Sequence, residues 1–284
     1  TGIFTNKNLE FKLNHHHENE VTMGDFLEKS VDFEHIYTCA KPVNKKKQPP
    51  IPFTTSALQQ KASNILSFSP KRTMTTAQKL YEQGFITYMR TDSRTYSKEF
   101  IGKAKKFIKD KWSGKYVNDD IDALSLRNGA KKNAKKNAKK NAKDDNAQEA
   151  HEAIRPTDVT REKLSSNIDP SQQRLYDLIW SNTVESCMSP AEYTLLSAKI
   201  TSPDKHHYKH SEELITFPGW LIVRGYEKEN LIYDWMLKSE QNKIVKYSRI
   251  QSKMTLKDLK THYTEARLVQ QMEKVGIGRP STFS

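Results

Sequence analysis

Tyr88 stands two residues before Arg90 in the segment Gly-Phe-Ile-Thr-Tyr-Met-Arg-Thr-Asp-Ser at 84–93, and no other spacing in the chain is as suggestive of chemistry. A phenol, with a pKa near ~10, is a poor nucleophile at neutral pH. It attacks a phosphodiester when a partner accepts its proton and a cation offsets the charge on the phosphate. Arginine suits that cationic role because its planar fork stays charged and pairs bidentately with phosphate. His151, in Ala-His-Glu-Ala-Ile-Arg-Pro-Thr at 150–157, is of a type that donates a hydrogen bond or a proton to the same group. Each residue alone has an ordinary explanation. Twelve tyrosines make a chance Tyr-x-Arg pair easy, and a lone histidine is commonly a surface or core residue.

The surrounding blocks change that balance. In order along the chain stand Pro-Phe-Thr-Thr-Ser at 52–56, Ala-Gln-Lys-Leu-Tyr-Glu at 77–82, the Tyr88 segment, and the His151 block. His-Tyr-Thr-Glu-Ala at 262–266 and Gly-Ile-Gly-Arg-Pro-Ser-Thr at 276–282 follow. Together they closely resemble the type IA DNA topoisomerases, particularly the bacterial topoisomerase I branch. The resemblance runs from about Lys41 to the last residue, interrupted by one insert.

That resemblance implies an isomerase that needs no ATP. Tyr88 would cut one strand of negatively supercoiled DNA and hold its 5′ phosphate covalently, strand passage and religation following. Arg90 and His151 would act on the scissile phosphate. Gln78 and Glu82, four residues apart on one helical face, match a pair the family places near the cleaved strand, although such pairs are also simply solvated. Glu152 and Arg155 are candidates for an intramolecular pair fixing the loop, with Arg155 also a candidate DNA contact. Gly276 and Gly278 would let the backbone approach DNA, with Arg279, Ser281 and Thr282 on phosphates. Phe283 stands where the family has tyrosine, one hydroxyl fewer. The implied Mg²⁺ belongs to the family's Toprim domain, which precedes these parts and is missing from this sequence, so no metal is expected on these residues. Without it, the alternative is a fragment that binds single-stranded DNA and does not cut. The expected partner is a single-stranded segment of DNA, with no membrane; the expected state is a monomer inside the cell, at DNA.

The elements that must position these residues are legible in outline. Ser56-Ala-Leu-Gln59 reads as a capping box, Ser69-Pro70 as a second helix start and Thr75 as the cap of a third, short helix stopping at Gly84. Ser97 opens a fourth helix with Ile101, Ala104, Ile108 and Trp112 on one stripe, and a fifth spans Ser171 to Ser186. Strands are predicted for Tyr193 to Ile200, Leu214 to Phe217, Trp220 to Tyr226 and Lys243 to Ile250, and the first 50 residues read as strands and loops. The fold class is therefore α+β and multi-domain. By resemblance it is part of the family torus: a β arch (1–55 and 191–254), a winged-helix-like helical domain inserted in it (56–190), and the start of a DNA-groove domain (255–284).

Composition agrees with a nucleic-acid partner. The net charge is +13, but the repeat Lys-Lys-Asn-Ala at 131–143 supplies seven lysines, so the excess elsewhere is about half as large. Residues 128–146 read as a solvated insert with too few apolar side chains to bury a face. Cys39 and Cys187 make no disulfide framework or zinc pair, and two buried, inert thiols are expected. Asp120 and Asp122 read as solvated acids. His15, His16, His17, His206, His207 and His210 read as surface histidines.

Overall fold

The computed structural model describes residues 1–5, 7–125, 152–255, 262–279 and 282. The chain begins with strands β1 (Gly2–Phe4) and β2 (Leu9–Leu13), helix α1 (Glu20–Val31), and strands β3 (Ile36–Cys39) and β4 (Val43–Lys47). Helices α2 (Thr55–Leu66), α3 (Pro70–Glu82), α4 (Lys98–Lys111) and α5 (Pro170–Ser186) follow. Then come β5 (Ala191–Thr201), β6 (His207–Phe217), α6 (Leu231–Lys238), β7 (Lys243–Ile244), β8 (Tyr247–Ile250) and α7 (Glu265–Lys274). Among the described residues no helix is long and apolar enough to cross a membrane.

Two compact units form, each discontinuous in sequence. The first takes residues 1–47, 191–218 and 226–260; the second takes 48–190, 219–225 and 261–284. The first unit is an antiparallel sheet in the order β7-β3-β5-β6-β2-β1-β8, with β4 also paired to β5. Its strands alternate: Leu9 and Phe11 are buried while Glu10 and Lys12 face water, and Tyr208 is buried beside exposed Lys209. Phe4, Phe11, Tyr37, Leu196, Ala198, Ile200 and Tyr208 form one apolar face, covered by Phe26 of α1 and by Tyr233 and Met236 of α6. Each of the large side chains among them contributes about 1.5–3 kcal/mol by leaving water.

The second unit is helical. Leu58 and Ala62 of α2, Met74, Ala77 and Leu80 of α3, Phe100, Ile101, Ala104 and Ile108 of α4, and Leu175, Leu178 and Ile179 of α5 are buried. Thr54, Ser69, Ser97 and Asp169 cap the N-termini of α2, α3, α4 and α5 through their side-chain oxygens. Residues 262–279, expected to begin a separate domain, supply α7, and α7 packs on α2.

Several local expectations fail for identifiable reasons. The predicted break at Thr75 does not occur, and α3 runs unbroken from Pro70. Its threonines bond back to the preceding turn, Thr73 Oγ1 to Ser69 O at 2.9 Å and Thr76 Oγ1 to Arg72 O at 2.8 Å, so they continue the helix. Gly84 does stop it, with φ +73°. The first 50 residues contain α1, announced by Asn19, whose side chain accepts from Thr22 N at 2.9 Å. Trp220 to Tyr226 is no strand: residues 219–223 form a short 3-10 turn docked through Trp220 N to Ser189 O at 3.0 Å. The Lys243 to Ile250 strand splits into β7 and β8, and Leu214 to Phe217 is the end of a longer strand. Cys39 is half-buried; Cys187 is buried, and burial pushes its thiol up to about 12. The insert at 128–146 lies outside the described residues.

Candidate active site

The segment carrying Tyr88 is irregular backbone held from both sides. Apart from a single bridge between Ile86 and Pro156, it joins no sheet. Thr87 N donates to Arg155 O at 2.9 Å, Thr87 Oγ1 donates to Ala153 O at 2.9 Å, and Arg155 N donates back to Thr87 Oγ1 at 3.0 Å. On the other flank Thr55 N donates to Thr91 O at 2.9 Å, Thr55 Oγ1 reaches Met89 O at 2.8 Å, and Thr91 N donates to Thr55 Oγ1 at 2.9 Å. Ile86, Met89 and Thr91 are buried, so the segment is anchored by side chains on both sides of Tyr88. Between those anchors Tyr88 is 41% exposed, its ring edge-on to Tyr81 of α3 with centroids 5.2 Å apart. Arg90 is half-buried.

The block after residue 151 supports this segment. Ala153 N donates to Thr95 O at 2.8 Å and Ile154 N to Phe53 O at 2.9 Å, stitching the Thr54 cap, the Tyr88 segment and residues 152–157 together. Arg155 is engaged internally: Nη2 lies 2.5 Å from Glu152 Oε2, Nη1 donates to Pro156 O at 3.0 Å, and the guanidinium covers the Phe100 ring at 4.2 Å. That leaves its side chain 13% exposed. Gln78 Nε2 donates to Glu82 Oε1 at 2.7 Å on the exposed face of α3. His151 and Ser281 lie outside the described residues.

A cleft of about 110 Å³ opens beside Thr91 and Asp92, which come directly after Arg90. Thr54, Ser56, Glu273, Gly278 and Arg279 complete its lining. Ser56 Oγ donates to Glu273 Oε2 at 2.6 Å, tying α7 to the start of α2 and bringing the Arg279 block to the residues next to Arg90. Arg279 N donates to Thr282 Oγ1 at 2.9 Å, and that hydroxyl lies 3.0 Å from Arg279 O, so Thr282 closes a local turn. Thr55, Thr87, Tyr81 and Glu273 carry no individual signal in the sequence. Thr55, Tyr81 and Thr87 sit inside motif blocks, but only their contacts reveal that they hold the backbone and ring of the Tyr88 segment.

No divalent-ion site emerges from these residues. Among the described residues no three His, Cys, Asp or Glu side chains converge on one point. Asp122 is ion-paired with Lys105 at 2.8 Å. Some of the histidines read as surface residues contact one another: His15 stacks on His206 with centroids 4.1 Å apart, with His17 beside both, and His210 bonds Glu212 at 2.8 Å. Burial, then the like charges of His15 and His206, hold the His17 imidazole below its ordinary value against the pull of Asp204.

Three comparisons bear on this arrangement. A family model described as DNA topoisomerase matches residues 4–284. DNA topoisomerase 1 of Pseudomonas aeruginosa is 37% identical over 238 residues, covering 84% of this chain and 25% of that protein. DNA topoisomerase 1 of Escherichia coli is 34% identical over 255 residues, covering 86% and 26% respectively. The solved structure of full-length topoisomerase I from Thermotoga maritima aligns with a TM-score of 0.68 and 29% identity over 96% of this chain and 43% of that one. The chain thus spans about a quarter of the length of these curated relatives.

Proposed function

The chain belongs to the DNA topoisomerase family, and from that premise we propose that it is the tyrosine-bearing part of a type IA enzyme that cuts, passes and reseals single strands of negatively supercoiled DNA. The observation that carries this reading is the exposed Tyr88 on an otherwise pinned segment, with Arg90 two residues on. In this reading the Tyr88 phenol oxygen attacks the scissile phosphorus. An Oη–P bond forms, the P–O3′ bond breaks, and the proton lost by the phenol is matched by one gained at the departing 3′ oxygen. One phosphodiester replaces another, so resealing by the reverse step needs no ATP. Arg90 steadies the phosphate charge in the transition state, and His151 donates to the same group. Arg279 and the backbone at Gly276 and Gly278 hold a neighbouring phosphate of the strand, and Gln78 and Glu82 line its approach. We read the helical unit as winged-helix-like and the sheet unit as the arch.

The family's Mg²⁺ does not fit the described residues, which offer no convergent set of oxygen ligands. In this reading its acids come from outside the described residues. The same observation favours a narrower behaviour of the chain by itself: it binds single-stranded DNA and leaves it uncut.

The test is Tyr88→Phe in the full-length enzyme, which removes one hydroxyl. Labelled single-stranded DNA should lose its covalent adduct on a denaturing gel while binding stays within about twofold. A surviving adduct overturns the assignment of Tyr88.

A further inference from the structure

The outward face of the first unit's sheet carries like charges in register. Lys12 of β2 lies directly opposite Lys209 of β6, and Lys209 lies opposite Lys199 of β5. Thr38 of β3 continues the row beyond Lys199. All three lysines are exposed, on the side opposite the buried Phe11, Ala198 and Tyr208. Like charges placed directly across strands destabilise a sheet. Among the described residues no acid forms an ion pair with any of the three. Elsewhere in this unit Lys29, Lys46 and Lys47 are matched by Asp204, Glu192 and Glu213.

The neighbours of the row are hydrogen-bonding groups. Ser197 and Ser211, opposite each other, join hydroxyls at 2.9 Å. His207 precedes Lys209 by one same-face position; burial, followed by the charges of Lys199 and Lys209, holds its imidazole below its ordinary value. Arg249 of β8 lies opposite Ile3, which in turn lies opposite Glu10, the carboxylate on this face of β2. Strands sit about 4.8 Å apart, so the three lysines span roughly 10 Å. A duplex presents one phosphate per ~3.4 Å of rise on each strand, so about three phosphates fit that span.

We propose that the Lys12–Lys209–Lys199 row is a second contact surface for the sugar–phosphate backbone of duplex DNA, using none of the residues around Tyr88. It rests on the reading of the chain as part of a DNA enzyme. The test is K12Q/K199Q/K209Q in the 284-residue chain, with a fluorescein-labelled duplex of about 30 base pairs followed by anisotropy from ~50 to ~200 mM salt. Affinity at low salt should fall at least about tenfold, and the slope of log K against log salt should flatten by roughly 2–3, since each phosphate no longer neutralised removes about 0.9 from it. The thermal midpoint should hold or rise, showing that the variant folds. Wild-type affinity and slope would overturn the proposal. So would an equal loss in K46Q/K47Q, whose lysines are already paired, since that would indicate general charge. Capture of the wild type, but not the triple variant, by phosphatidylserine vesicles with duplex binding unchanged would assign the row to a membrane and also overturn it. Failure of the functional reading looks different: Tyr88 then forms no adduct in the full-length enzyme, whatever the duplex does on the lysine row.

Discussion

A single hydroxyl fixes the backbone under Tyr88 and Arg90. Thr55 Oγ1 lies 2.8 Å from Met89 O and accepts from Thr91 N at 2.9 Å, and the residue is fully buried. Thr55→Val keeps the shape but strands a buried carbonyl and a buried N–H, at a cost of about 1–3 kcal/mol. The urea midpoint should fall accordingly, and in the full-length enzyme covalent attachment should slow while Thr55→Ser restores it. An unchanged attachment rate in the valine variant would show that the geometry is set elsewhere. Tyr81 acts on the ring instead of the backbone. Tyr81→Ala removes the edge-on contact at 5.2 Å and should slow attachment several-fold with little loss of stability, since Tyr81 is 41% exposed. A normal single-turnover rate would remove Tyr81 from the site.

Among the connecting elements, the turn at Gly219 is the least tolerant of change. Its φ is +48°, and a Cβ there would stand 2.4 Å from Pro190 O and 2.5 Å from Ser189 O. Gly219→Ala should therefore destabilise by more than ~1 kcal/mol, lowering Tm by at least ~2 °C in thermal melts; an unchanged midpoint would mean that the turn relaxes freely. Pro218-Gly219 marks this turn in the sequence, but the path of the chain beyond it is not legible there. Trp220 to Ile222 carries strand-like side chains, whereas docking onto Ser189, distant in sequence, decides its conformation. The same limit applies across the chain. Helices with local signals were readable: Ser69-Pro70 and Ser97 cap where expected. Features set by distant partners were not, such as α1 covering the sheet or Ser56 reaching Glu273. At the site, residue types and spacing pointed to Tyr88 and Arg90 and to a pair between Glu152 and Arg155, but the packing of Arg155 over Phe100 needed three dimensions.

Acid should affect the molecule's two units unequally. Seven of the nine histidines, all but His151 and His262, belong to the sheet unit. His17 and His207 are both held below their ordinary value of 6.5, chiefly by burial. Above that value they are neutral folded or unfolded and contribute nothing to pH dependence. As pH falls through it the unfolded chain takes up protons first, so stability is lost on the acid side. Urea melts at about pH 7.5 and about pH 5, read by Trp235 of this unit in a chain whose other tryptophans are replaced by phenylalanine, should show that loss, and His17→Gln with His207→Gln should shrink it. Equal losses in both chains would locate the acid sensitivity elsewhere. The order in which the chain is made also matters for this sheet. β1 pairs with β2 close behind it and, on its other edge, with β8, Gly2 lying opposite Ile250. At about 5–20 residues per second, a ribosome finishes β8 roughly 10 to 50 s after β1. Throughout that interval β1 presents an open edge to other nascent chains, and residues 48–190 are finished before β8 begins. β1 thus keeps one edge unpaired until β8 has been made, which makes that edge the natural place for a chaperone to act.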